Sequence, residues 1–161
     1  NVSYSIVDSS LYGVPQKRKR LILLANKETV TFSKLQELPI VSVREAFLQH
    51  PVPVWGKAVS EKTERRIVEL GEKGLRSGQF QVVNWDKPCR TIHTLTFSCT
   101  GPYTLKRGDT YYEMSIEETA RLQSFPSWFS FVGYNTYIRR QLGNAVPPAL
   151  IRCIVNSIRL G

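Results

Sequence analysis

Arg18 and Arg20, two residues apart in the run Tyr12-Gly13-Val14-Pro15-Gln16-Lys17-Arg18-Lys19-Arg20, are the side chains best placed by type and spacing to do chemistry. An apolar run, Leu21-Ile22-Leu23-Leu24-Ala25, follows directly. If the residues entering it are extended, Arg18 and Arg20 project to one side and Lys17 and Lys19 to the other. Two guanidiniums on one side would make a fork of donors suited to a phosphate, or to a carbonyl oxygen that gathers negative charge. A solvated basic patch or a targeting run is the alternative reading of the same residues. A second run, Gly143-Asn144-Ala145-Val146-Pro147-Pro148, reads as backbone held in a fixed shape. Gly and Asn tolerate positive φ, and the prolines pre-set φ for a helix from Ala149 to Leu160. A plain helix entry would use the same residues. A third run ends Arg121-Leu122-Gln123-Ser124-Phe125-Pro126 and carries a helix-borne arginine able to hold a neighbouring loop.

Several elements must position these residues. Tyr4 to Val7 is a possible short strand, Gly13-Val14-Pro15 a turn, and residues 21–25 a buried strand. Ser42 with Glu45 is a capping-box pattern opening a helix over 43–49, which Pro51 and Pro53 end. Ile67 and Leu70 among charged residues predict a surface helix from Ser60, closed by Gly71 and Gly74. The β-branched and aromatic residues of 79–105 predict short antiparallel strands. Ser115 with Glu118 is a second capping box, opening a helix that runs to about Ser124 and stops before Pro126.

Composition narrows the partner. With 22 Lys and Arg against 13 Asp and Glu in 161 residues, the chain carries a net charge of +9, which favours a polyanion and nucleic acid first. Cys89, Cys99 and Cys153 form no Cys-x-x-Cys pair, which argues against a disulfide framework or a zinc site and for a reducing compartment. No apolar stretch approaches the roughly 18 residues needed to cross a bilayer. The expectation is an intracellular protein, cytoplasmic or DNA-associated. A start at Asn1 fits a piece cut from something longer, or a processed subunit.

Taken in order, Gln-x-Arg-x-Arg at 16–20, Ser-x-Glu-Glu-x-Ala-Arg-Leu-Gln-x-Phe-Pro at 115–126 and Gly-Asn-Ala-Val-Pro-Pro at 143–148 resemble the last three blocks of DNA (cytosine-5) methyltransferases. The resemblance spans essentially the whole chain. Such enzymes flip a cytosine out of the duplex, attack C6 with a cysteine thiolate and move a methyl group from S-adenosylmethionine to C5. By resemblance the catalytic residues here are Arg20, on the O2 edge of the flipped cytosine, and Arg18 beside it, supporting a catalytic loop or a phosphate. Asn144 and Ala145 would contact S-adenosylmethionine. Gln16, which shapes the turn, Thr91, Thr94 and Arg121 form the implied DNA-contacting set, with Arg121 bracing the recognition region; Thr91 and Thr94 read equally well as strand residues filling a half-exposed sheet face. No metal is implied, and His93 and Cys99 have no partner at ligand spacing.

The implied architecture is α+β in isolation. Residues 1–49 and 127–161 would be two pieces of an α/β S-adenosylmethionine-dependent domain, separated by a β-rich target-recognition lobe over 50–110 and a hinge helix over 111–126. Residues 4–15 would end the catalytic domain's parallel sheet. Pro88-Cys89 imitates the family's nucleophile dipeptide, but its context, Asp86 to Ile92, matches the entry to the recognition region, so Cys89 is expected not to be catalytic. The glycine-rich cofactor turn, the Pro-Cys-Gln nucleophile loop and the Glu-Asn-Val block do not occur. The expected partners are double-stranded DNA and an N-terminal half that supplies the nucleophile, docking on an apolar face around Ile6, Leu21, Leu23, Ile154 and Ile158. The rival reading is a non-catalytic, sequence-specific DNA-binding module derived from such an enzyme.

Overall fold

The structure is a computed structural model that describes residues 2–25, 27, 30–32, 35–52, 56–76, 81–94 and 103–160. Helices and strands are mixed, in the order β1 (Val2–Asp8), β2 (Lys19–Ala25), β3 (Val30–Phe32), α1 (Val43–Gln49), α2 (Glu61–Arg76), β4 (Gln81–Val82), β5 (Tyr103–Arg107), β6 (Thr110–Glu113), α3 (Ile116–Leu122), α4 (Asn135–Asn144), α5 (Pro148–Ser157) and β7 (Ile158–Leu160).

β1 and β2 pair antiparallel, from Val2 opposite Ala25 to Asp8 opposite Lys19, joined by a 3-10 turn over Ser9–Tyr12 and Gly13 at φ 73°. A link this short returns the chain antiparallel, whereas parallel neighbours need a crossover. Alternation along both strands gives the hairpin two faces. One packs on α5, where Val7, Tyr12, Val14, Leu150 and Ile154 form a core. On the other, Val2, Tyr4, Ile6, Leu21 and Leu23 are 57–72% exposed. The expected open face is thus corrected in part, because Ile154 is buried under the hairpin and Ile158 is half-buried. α5 ends at Ser157, three residues before Leu160, because Ile158–Leu160 leaves the helix to pair antiparallel with β3.

β4, β5 and β6 form a second sheet, in which β4–β5 is parallel and β5–β6 antiparallel. The expectation of antiparallel strands over 79–105 is corrected on two counts. β4 runs parallel to β5, and residues 83–94 are irregular apart from turns and bridges. Residues 95–102 lie outside the described set. α1 packs Val43 and Ala46 into one core with Val83, Cys89, Ile92, Tyr103, Leu105, Met114 and Leu122.

Both capping boxes form. Ser42 Oγ accepts from Glu45 N at 3.2 Å while the Glu45 carboxylate accepts from Ser42 N at 2.7 Å, which holds the Glu45 carboxyl below its ordinary pKa. Glu118 does more than cap. Its buried carboxylate accepts from Ser115 N at 2.7 Å and Gly56 N at 3.3 Å and pairs with the Arg107 guanidinium. Gly56 is needed there, since a Cβ would lie 1.4 Å from the Glu113 carbonyl oxygen. α2 breaks at Gly71 (φ 42°), at one of the two glycines expected to close it, and resumes to Arg76. α4 was not foreseen from the sequence. Its apolar signal is only Ile138 and Leu142, one turn apart on a polar helix, and these two pack with Ala120 of α3.

Candidate functional site at the junction of three motifs

The first and third motifs meet through a side chain that leaves solvent altogether. Arg18 is 1% exposed, and its guanidinium donates to the Ile92 carbonyl at 2.9 Å and the Gly143 carbonyl at 2.7 Å. Burial, and secondarily the charge of Arg20, lowers its pKa to about 10, with Tyr103 acting in the opposite direction. It therefore stays cationic at neutral pH. Gln16 is equally buried, and its Oε1 accepts from Ile92 N at 3.3 Å, leaving Nε2 without a partner among the described residues. Residues 16–18 thus hold both the amide and the carbonyl of Ile92.

The second contact is steric. Gly143 and Asn144 are the last two residues of α4, and neither has positive φ, so the expectation of a turn needing left-handed backbone is corrected. Glycine is required for a different reason. A Cβ on Gly143 would stand 2.6 Å from Thr94 N and 2.8 Å from Thr94 Cγ2, closer than real side chains come. Residues 91–94 therefore lie directly against the end of α4, between the first and third motifs.

The second motif supports this end of α4. Gln123, fully buried, donates to the Leu142 carbonyl, and Ser124 Oγ accepts from Ala149 N at 3.0 Å. Pro147, at the N-cap of α5, has no side-chain cap of its own, and Ser124 supplies one from a distance. Ser124 adopts φ 61° to do so, a conformation uncommon outside glycine.

The expected site residues divide accordingly. Arg18, Gln16, Thr91, Thr94, Asn144 and Ala145 come together around this junction. The expected fork of two guanidiniums does not form, because Arg18 turns inward to two carbonyls whereas half-buried Arg20 donates, among the described residues, to the adjacent Lys19 carbonyl at 2.7 Å. Thr91 spends its one hydroxyl proton on the Lys17 carbonyl at 2.7 Å. Arg121 lies apart, half-buried, donating to the Phe125 carbonyl at 3.1 Å within its own motif, with its pKa lowered by burial. Cys89 sits in the core, 3% exposed, and burial pushes its thiol far above the range in which a nucleophile works.

A family model for C-5 cytosine-specific DNA methylases matches residues 1–159. The chain belongs to that family. It is 29% identical to the Type II methyltransferase M.AplI of Arthrospira platensis, over 99% of this chain and 48% of that protein. It is also 29% identical to the Type II methylase M.HgiDII of Herpetosiphon aurantiacus, over 99% of this chain and 55% of that protein. In structure it is similar to the S. pombe Dnmt2 methyltransferase, with a TM-score of 0.67 and 16% identity, over 97% of this chain and 57% of that one. The chain spans about half the length of the curated relatives it matches. Among the described residues, no helix is long and apolar enough to cross a membrane, and no three His, Cys, Asp or Glu side chains come together as a metal site.

Methylases of this family use S-adenosylmethionine, and the two residues expected to contact it, Asn144 and Ala145, lie at the C-terminal end of α4. Asn144 is exposed, with a carboxamide that makes no hydrogen bond among the described residues, and Val146 beside it is 38% exposed. The Ala145 amide is not open to a ligand, since it donates to the Gln141 carbonyl at 2.9 Å and the Leu142 carbonyl at 3.2 Å; only its carbonyl remains. Gln123, Ser124 and Ile92 are the junction residues that sequence reasoning missed. Gln123 and Ser124 fall inside a recognised motif and read as ordinary helix-end residues, and Ile92 acts through its backbone.

Proposed function

We propose that this chain is the C-terminal portion of a DNA (cytosine-5) methyltransferase. It contributes the recognition region and part of the flipped-cytosine and S-adenosylmethionine sites, while an N-terminal portion supplies the nucleophilic cysteine. The observation that carries this reading is the Arg18 staple: one buried guanidinium joins the proposed recognition lobe at Ile92 to the end of α4 at Gly143, beside the proposed cofactor wall. A module that only read DNA would not need to tie its recognition segment to such a wall.

In this reading Arg20 is the catalytic arginine, a half-exposed donor for the O2 edge of an extruded cytosine, where negative charge gathers on the ring after thiolate attack. Arg18 is a positioning residue. It acts through Ile92 and Gly143 and presents no free fork to substrate. The Asn144 carboxamide would hold the polar end of S-adenosylmethionine, which supplies the methyl group. The buried thiol of Cys89 leaves the nucleophile to the other portion. The apolar hairpin face of Val2, Tyr4, Ile6, Leu21 and Leu23 is the surface against which that portion would pack.

Reconstitution tests the reading. The chain is mixed with the N-terminal half of one of the relatives above, duplex DNA and methyl-labelled S-adenosylmethionine. Label should enter DNA cytosine only when both halves are present. Methylation no higher than with the N-terminal half alone would refute the proposal.

A further inference from the structure

A second feature of the 16–20 segment lies on the face away from Arg18. Gln16 and Cys89 form a parallel bridge, with Cys89 N donating to the Pro15 carbonyl at 2.9 Å and Lys17 N to the Cys89 carbonyl at 2.8 Å. Bridge partners point the same way, and Gln16 and Cys89 are both buried. The next residue on each side, Lys17 and Arg90, must then point outward together, and both are exposed. The Thr91 hydroxyl bonded to the Lys17 carbonyl pins this register.

Lys87 joins them on the rim of a cleft of about 540 Å³, floored by Val83, Cys89 and Tyr103. Among the described residues, no acidic side chain lines the cleft. The nearest in sequence, Asp86, is taken by Arg44 at 2.8 Å. Among the described residues, none of the three cations has a carboxylate partner. Like charges set side by side across a bridge are unfavourable by themselves, and an anion between them reverses the sign.

We propose that Lys17, Arg90 and Lys87 form a clamp for successive phosphates of duplex DNA, fixing the backbone beside the recognition segment. Cationic donors on the rim of an apolar floor suit phosphate oxygens, whose contacts position duplex DNA without reading its sequence. The clamp rests on the DNA methyltransferase reading. It also takes the phosphate-contacting role expected of Thr91, whose proton is committed elsewhere.

Each phosphate neutralised contributes about 0.9 to the slope of log affinity against log salt. Binding of a fluorescent duplex is measured by anisotropy across a potassium chloride series. Lys17→Gln with Arg90→Gln should flatten the slope by about 1.8, and Lys87→Gln alone by about 0.9. Lys62→Gln with Arg65→Gln, an equal loss of charge on α2, should leave the slope unchanged, and Arg90→Lys should retain it. If the wild type binds and the Lys17/Arg90 pair leaves the slope intact, or the α2 pair flattens it equally, the clamp alone is overturned. If the wild type does not bind duplex at any salt, the clamp and the functional reading fall together.

Discussion

Replacing Arg18 by Met keeps the length and apolar stem of the side chain and removes the charge and all donors. The carbonyls of Ile92 and Gly143 then lose their partner inside the core. Hydrogen bonds from a charged donor contribute about 1.5–3 kcal/mol each, so the two together set an upper bound of about 3–6 kcal/mol. Removing a buried cation works the other way, and the lowering of its pKa to about 10 shows that burial does disfavour the charge. The expected net loss is about 2–4 kcal/mol. With a urea slope of about 2 kcal/mol/M, that moves the unfolding midpoint down by about 1–2 M at unchanged slope. Arg18→Lys, which retains the charge but reaches one carbonyl, should lose about half as much. Tryptophan fluorescence reads the transition, since Trp85 packs edge-on against Phe47 beside the core that contains Ile92. A midpoint for Arg18→Met within about 0.2 M of wild type, at the same slope, would refute the staple as the tie between these segments.

Other substitutions probe the rest of the junction. Gly143→Ala forces a methyl against Thr94 and should cost about 1–3 kcal/mol in the same assay, despite alanine's better helix propensity; a stabilised variant would show that the close approach is not maintained. Glu118→Gln leaves Arg107 without its buried carboxylate and should cost about 3 kcal/mol, with a loss below about 0.5 kcal/mol counting against the pair. In the native chain Cys89 should resist thiol reagents at pH 8 and react once urea unfolds the protein, as mass mapping of the labelled cysteine would reveal. Because folding raises this thiol's pKa, its contribution to stability is intact below the unfolded value of 9.0 and declines as pH rises above it. Cys89→Ala should therefore flatten the alkaline fall in stability, and an unchanged fall would assign that fall to other groups.

What could be read in the sequence was mostly local. Ser42 with Glu45 and Ser115 with Glu118 are three residues apart, and both boxes form as the spacing says, because each is satisfied within one helical turn. The motif order was legible for another reason, since it records residue types and not contacts. The side of the strand on which Arg18 projects was legible too, but its destination was not, because its partners are 74 and 125 residues away. Gly143 marks a limit of reading residue type. Glycine signals either positive φ or the need for no Cβ, and only the position of Thr94 decides between them. α4 escaped notice because two apolar residues one turn apart are too faint a periodicity to stand out.

The bond from Arg18 to Gly143 also orders events in time. A chain made from its N-terminus exposes Arg18 long before its acceptor exists, and the 125 residues between them take about 6–25 s to add at about 5–20 residues per second. During that interval the guanidinium can remain hydrated, whereas Ile92 and the core around it already have the residues needed to begin packing. The cation can be drawn out of water for good only when α4 is complete. Closure of the junction therefore waits until α4 has been made, and a ribosome stalled before residue 143 would carry residues 91–94 still free to pack elsewhere.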